Sequence, residues 1–274
     1  MSYSEVVKSG NVALVTGAAS GIGKAACLQF AQAGMVVCMV DLPGDGLKAA
    51  AREVANAHPK GEDQVAAFPL DIATNGALST LHEQVCSQFG TVDLLMNNAV
   101  TRAGRGHDAS VADWRQAMEV NFWAVVEAVR IFLPEMRASG KPSMIINVGS
   151  KQGITNPPGH PIYNITKSAL KTYTEALEHE LRSDPARTVT AHLLIPGWTT
   201  TGTKAHQPGA WLPGQVIEFM AKKLNQGDFY ILCPDDEVDT ATDHQRIIWG
   251  AEDITENRVP LSRWHPDYAE KAKQ

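Results

Sequence analysis

The sequence predicts a doubly wound α/β domain, in which helices cover both faces of a seven-stranded parallel sheet. Three observations carry this. Short β-branched runs alternate with longer amphipathic stretches along the whole chain, the rhythm of repeated β–α–β units. A glycine-rich turn, Thr16-Gly17-Ala18-Ala19-Ser20-Gly21-Ile22-Gly23, follows the first run directly and opens a helical pattern. Asp41 then ends the second run, 18 positions after Gly23.

Taken in order, the strand-like runs are residues 12–16, 35–40, 65–69, 92–96, 144–148, 189–195 and 229–233. A doubly wound sheet of this kind, with right-handed crossovers, is expected in the order 3-2-1-4-5-6-7. The first helix runs from the glycine-rich turn to near Gly34. Residues 73–89, 110–136 and 161–182 are too long for strands and stop at Gly or Pro. Ser110 and Asp113 make a capping-box start, with Asp in place of the usual Glu. Residues 197–214 hold four glycines and two prolines, yet also Trp198 and Trp211. That composition reads as a mobile lid with apolar anchors, extending to about residue 225. Residues 234–274 form a tail with Trp249, Trp264 and Tyr268, able to pack on its own subunit or on a neighbour. The whole of 1–274 is expected to be one domain.

Composition narrows the function. A net charge of −6 provides no basic footprint for nucleic acid. The N-terminal residues carry no apolar core of signal-peptide length, and the apolar runs fit strands rather than membrane spans, so a cytoplasmic location is expected. Cys27, Cys38, Cys86 and Cys233 are far apart and read as buried structural residues. The nine histidines are scattered, so no bound metal is expected and the chemistry falls to an organic cofactor.

In the glycine-rich turn, glycine lets the backbone approach a pyrophosphate while the first N–H groups of the helix face the phosphates. Gly17, Ser20, Gly21, Ile22 and Gly23 are the expected contacts. Asp41 is placed to accept hydrogen bonds from the adenosine ribose and to repel a 2′-phosphate, which favours NAD over NADP. The other reading of Asp41 is a helix N-cap. Further along, Tyr163 and Lys167 are i and i+4 on a helix and share a face. A nearby ammonium brings a phenol closer to working pH as a proton donor and acceptor.

Residues 10–200 resemble the short-chain dehydrogenases/reductases, whose Rossmann fold carries T-G-x-x-x-G-x-G and Y-x-x-x-K. Thr16 to Gly23 match the first motif, and Tyr163 and Lys167 the second. Asp71-Ile72 resemble the family's adenine-contacting pair, Asn97-Asn98-Ala99 its N-N-A-G turn, and Asn121 and Ser150 its conserved Asn and Ser. The resemblance implies that Asn98 supports the cofactor site, Ser150 holds the substrate oxygen, Tyr163 exchanges its proton, Lys167 also holds the nicotinamide ribose, and Asn121 anchors a water in the relay. Pro196-Gly197 followed by Thr199, Thr200 and Thr201 resembles the segment whose threonine contacts the nicotinamide, with Thr199 taken as the contact and the other two left open. Val100 stands where Gly is usual and Gly149 where a second Ser is frequent. The segment Pro234-Asp235-Asp236-Glu237 replaces the family's usual Gly-containing ending.

The implied reaction is hydride transfer between NAD(H) and a secondary alcohol or ketone. Trp198, Trp211 and Leu212, with Gln152, Ile154 and His160, are either the lining of a mostly apolar pocket or, for the loop residues, a satellite core. Two other readings stay open: a non-catalytic NAD-sensing regulator, and an epimerase or dehydratase that retains its NAD. The first sits poorly with the Ser, Tyr and Lys set, and the second needs a larger substrate domain than follows residue 200. A homo-oligomer, in this family most often a tetramer, is expected through the helices beginning at Ser110 and Pro161; Phe122, Val125, Val129, Leu170, Tyr173 and Leu177 are either its apolar contacts or part of the domain's own core.

Overall fold

The structure, a computed structural model, describes residues 2–201 and 205–271. Seven strands, β1 (Val12–Thr16), β2 (Val36–Asp41), β3 (Val65–Pro69), β4 (Leu94–Asn97), β5 (Ser143–Val148), β6 (Val189–Ile195) and β7 (Tyr230–Leu232), form one sheet. Its order is β3-β2-β1-β4-β5-β6-β7, as expected. Every neighbouring pair is parallel. All residues of β1, β5 and β6 are buried. A parallel sheet clad on both faces demands this, and it is why these strands read as continuous apolar runs rather than as alternating ones.

Among the described residues, ten α-helices surround the sheet: α1 (Tyr3–Val6), α2 (Gly21–Gln32), α3 (Asp45–Ala57), α4 (Ala77–Phe89), α5 (Val111–Met118), α6 (Ala124–Ala138), α7 (Gln152–Thr155), α8 (Pro161–Arg182), α9 (Pro213–Asn225) and α10 (Thr240–Thr255). Successive strand residues feed two cores. Ala13 and Val15 of β1 join Phe30 of α2, Val54 of α3 and Met220 of α9 on one face. Val12 and Leu14 join Leu81 of α4, Phe132 of α6 and Leu177 of α8 on the other.

Two elements differ from the sequence reading, and a third takes one of the alternatives left open. The helix expected over 110–136 is interrupted by a π turn at Glu119–Trp123, between α5 and α6. Its start is as expected: the Ser110 hydroxyl accepts from Asp113 N–H at 3.1 Å and the Asp113 carboxylate accepts from Ser110 N–H at 3.1 Å. The lid expected over 197–225 divides in two. Its second half is α9, whose Val216, Ile217, Met220 and Leu224 recur at helical spacing and are buried. In its first half Thr199 bridges to Trp211. Residues 202–204 of that expectation lie outside the described residues. Finally, the tail folds back on its own subunit, with α10 against α7, and Trp249 Nε1 donates to Ser262 Oγ at 2.7 Å.

Of the four cysteines, Cys27, Cys38 and Cys233 are fully buried. Cys86 is only half-buried: it lies between α4 and α6 and donates to Glu135 Oε2 at 3.1 Å. The sequence reading missed that His82 and Cys86 are one helical turn apart. The donor atoms of His82, Cys86 and Glu135 lie within 4.8 Å of one another. Contacts within the trio account for the grouping, since His82 Nε2 pairs with Glu135 at 3.2 Å.

Candidate active site

The carboxyl ends of β1, β2, β4, β5 and β6 open onto one cleft of about 840 Å³. Ligands of doubly wound sheets bind at this edge, because crossovers leave a crevice where the strand order reverses. At one end lies the turn from β1 into α2. A Cβ on Gly23 would overlap the carbonyl oxygen of Gly17 and the Asn98 amide, so helix and strand meet this closely only through glycine. Asn98 staples the turn, its Nδ2 donating to Thr16 O at 2.9 Å and Gly17 O at 3.1 Å. Ser20, at the N-cap of α2, makes no side-chain cap. The first N–H groups of α2 therefore keep their donors for a ligand.

Asp41 ends β2 beside this turn. Its Oδ2 accepts from Ala19 N–H and its Oδ1 from Leu42 N–H, both at 2.8 Å. Each oxygen keeps acceptor capacity for a ribose hydroxyl. Its partners are thus the loop and its own neighbour, and the N-cap alternative falls away: α3 is capped at Gly44.

At the other end, Ser150 follows β5, and Tyr163 and Lys167 project from α8 into the same cleft. Lys167 is 3% exposed, lies 5.8 Å from the centre of the Tyr163 ring and donates to Val148 O at 2.6 Å. Burial, assisted by the Arg102 charge, pulls its ammonium down to about 7. Asn121 sits in the π turn. Its Oδ1 accepts from Thr101 N–H at 2.8 Å, while Nδ2 donates to Thr101 O at 2.9 Å and Thr166 Oγ1 at 3.1 Å. Thr166 in turn donates to the Tyr163 carbonyl at 2.9 Å.

Of the residues singled out from sequence, Gly17, Ser20, Gly21, Ile22, Asp41, Asp71, Ile72, Asn98, Ser150, Tyr163, Lys167 and Thr199 line this one cleft. Gly23 and Asn121 stand behind its wall. Thr199 and Thr201 line it too, whereas Thr200 pairs with His206 at 3.1 Å. The pocket and satellite-core readings of the aromatic residues divide between two of them. Trp198 lines the cleft, while Trp211 packs on Phe219 of α9. Val100 makes its turn without the positive φ a glycine would offer.

The sequence reading missed two features. Arg102 lays its guanidinium over the Tyr163 ring, 4.5 Å from the centroid. Lys151, next to Ser150, is clamped by Asp235 at 3.2 Å and by Asp243 of α10 at 2.6 Å. Burial holds the Asp243 carboxyl above the usual carboxylate range, against the pull of Lys151. Asp235 Oδ2 also accepts from Trp198 N–H at 2.9 Å. A Cβ on Gly197 would overlap this carboxylate, so the strand-end loop presses directly on the clamp. The only signal in the sequence was the Pro234-Asp235-Asp236-Glu237 departure itself.

Comparison with known proteins agrees with this geometry. Residues 11–209 match the short chain dehydrogenase family. The SadH protein of Mycobacterium tuberculosis is 36% identical over 173 residues, a match spanning 63% of this chain and 61% of SadH. The 1-deoxy-11-beta-hydroxypentalenate dehydrogenase of Streptomyces avermitilis is 34% identical over 194 residues, 70% of this chain and 69% of that one. The crystal structure of a short chain dehydrogenase/reductase from Burkholderia phymatum in complex with NAD has TM-score 0.82 and 27% identity, covering 92% of this chain and 96% of that one. A metagenomic short-chain oxidoreductase in complex with NADP has TM-score 0.69 and 27% identity, covering 83% and 98%. Sheet order, strand-end cleft and matched sequence lead to one conclusion: the chain belongs to the short-chain dehydrogenase family of nicotinamide-dependent oxidoreductases.

Proposed function

We propose that this protein oxidises a secondary alcohol to a ketone, or the reverse, with NAD(H) as the cofactor and Tyr163 as general acid/base. The observation that carries the reading is a single cleft with Gly17, Gly21 and Asp41 at one end and Ser150, Tyr163 and Lys167 at the other. When bound, the nicotinamide supplies or accepts the hydride. The protein supplies position and proton handling. Ser150 Oγ hydrogen-bonds the substrate oxygen and Tyr163 Oη takes its proton during oxidation. Lys167, on the same face of α8, holds the nicotinamide ribose.

The Asn121 side chain is already committed to Thr101 and Thr166. The relay water is therefore assigned to its peptide carbonyl, because a π turn displaces carbonyls from the regular helical ladder. Asp71 and Ile72 border the adenine, and Thr199 or Thr201 the nicotinamide. No described helix is long and apolar enough to cross a membrane. The proposal is a cytoplasmic, homo-oligomeric enzyme acting on a small molecule.

NADH formation with a panel of secondary alcohols tests the activity. Tyr163→Phe should lower turnover by about 10² to 10⁴ while cofactor affinity, measured by fluorescence titration, persists. Wild-type turnover in that variant would remove Tyr163 from the mechanism. NAD should outperform NADP, and Asp41→Ser should narrow the gap. A wild-type preference for NADP would overturn the role given to Asp41.

A further inference from the structure

The substrate half of the cleft holds a cation with no counter-ion. Arg102 lines the cleft beside Ser150, Gln152 and Tyr163. Its side chain lies over the Tyr163 ring, 4.5 Å from the centroid, and stays exposed to the cleft and to solvent. Among the described residues it has no carboxylate within ion-pair distance. The other cations of the cleft are committed: Lys151 to Asp235 and Asp243, and Lys167 to the Val148 carbonyl. The acids that line the cleft, Asp41 and Asp71, follow β2 and β3 at the cofactor end. Gln152, which lines the same cleft, carries a buried side-chain oxygen without a hydrogen-bond partner. Turned over, the same amide presents an N–H there. A guanidinium fork and an unpaired amide beside the proton-transfer group form a receptor for a planar anion.

We propose that the substrate carries a carboxylate, bound by Arg102 with Gln152, so that the enzyme interconverts a hydroxy acid and the matching oxo acid. This rests on the function proposed above and narrows its substrate class. In the oxidation the carbinol C–H leaves as hydride to NAD⁺ and the O–H proton passes to the Tyr163 phenolate. The carboxylate is unchanged, and the products are the oxo acid, NADH and one proton. Because the guanidinium lies over the ring whose hydroxyl handles that proton, the acid group is separated from the carbinol by a short chain. An α-, β- or γ-hydroxy acid has the right span.

The test compares α-hydroxybutyrate, β-hydroxybutyrate and γ-hydroxyvalerate with the methyl ester of β-hydroxybutyrate and with sec-butanol, using NAD. At least one acid should exceed the neutral compounds in kcat/KM by about 10- to 100-fold, the usual worth of hydrogen bonds to a charged group. Arg102→Met should collapse that ratio, mainly through KM, and Arg102→Lys should restore part of it. Calorimetry with NAD-loaded protein and malonate, an unreactive dicarboxylate, reads the anion site without turnover. Binding should appear in the wild type and vanish in Arg102→Met. Neutral compounds oxidised as well as the acids, together with no malonate binding, would overturn the carboxylate proposal and leave the dehydrogenase reading standing. An Arg102→Met variant that slows ester and acid equally would also overturn it, by showing that Arg102 acts on Tyr163. Malonate binding without oxidation of any compound, with NAD or NADP, would instead count against the dehydrogenase reading.

Discussion

Lys167 shows how much of this site depends on placing one residue in an unfavourable medium. Full burial disfavours its ammonium, and the nearby Arg102 charge adds to the effect, bringing it from 10.5 to about 7. An unfolded chain holds that proton up to pH ~10.4. Between these two values the unfolded state binds the extra proton, so folding stability rises with pH through this window. The burial penalty is fully present below pH 7 and gone above the unfolded value. Lys167→Met removes the titration. In urea unfolding between pH 6 and 9.5, the variant should be the more stable protein at pH 6, with its advantage shrinking steadily as pH rises. A constant difference across the range would show that Lys167 titrates normally in the fold. The sequence placed Lys167 beside Tyr163 by helical spacing alone. Its altered acidity comes from burial beneath other elements and from the Arg102 charge.

At the scale of elements, the loop after β6 is fixed by a contact between segments more than 80 residues apart. Asp235 joins Lys151, the Trp198 N–H and the Val238 N–H. Removing one partner of a buried ion pair strands the other charge, at about 3 to 5 kcal/mol. Asp235→Ala leaves Lys151 its second partner Asp243, so it should lose less than that, about 1 to 3 kcal/mol in urea unfolding from the unpaired Trp198 and Val238 N–H groups, and should also weaken cofactor binding, since Gly197 and Thr199 line the cleft. Unchanged affinity in a destabilised variant would confine the clamp to a structural role. The π turn is the second such device. Sequence periodicity read 110–136 as one helix, because a single extra residue in a turn scarcely alters a 3.6-residue pattern. Only packing against α8 shows Asn121 turned toward Thr101 and Thr166.

For the whole molecule, the expected oligomer contacts need revision. Val125, Val129, Leu170 and Leu177 are buried in the subunit's own core, which leaves Phe122 and Tyr173 half-buried. Trp123 in the π turn and Ile165 near the start of α8, 51% and 48% exposed, are large apolar side chains presented outward by these helices. Light scattering at micromolar concentration should find a tetramer, and Trp123→Glu with Ile165→Glu should reduce it to a smaller species. A monomeric wild type would end the assembly proposal. Ser150 was placed by family resemblance, whereas the sequence by itself determined the doubly wound parallel sheet, the phosphate-type turn and the shared helix face of Tyr163 and Lys167. Each of these follows from local rules: burial on both strand faces, right-handed crossovers, glycine at a close approach, and side chains one helical turn apart. Tertiary structure alone decided the rest. The fate of Arg102, the pairing of Lys151 with the tail, the choice between Thr200 and its neighbours, and the division of the lid all depend on which distant groups meet. That is settled by three-dimensional packing of segments whose separation along the chain carries no signal.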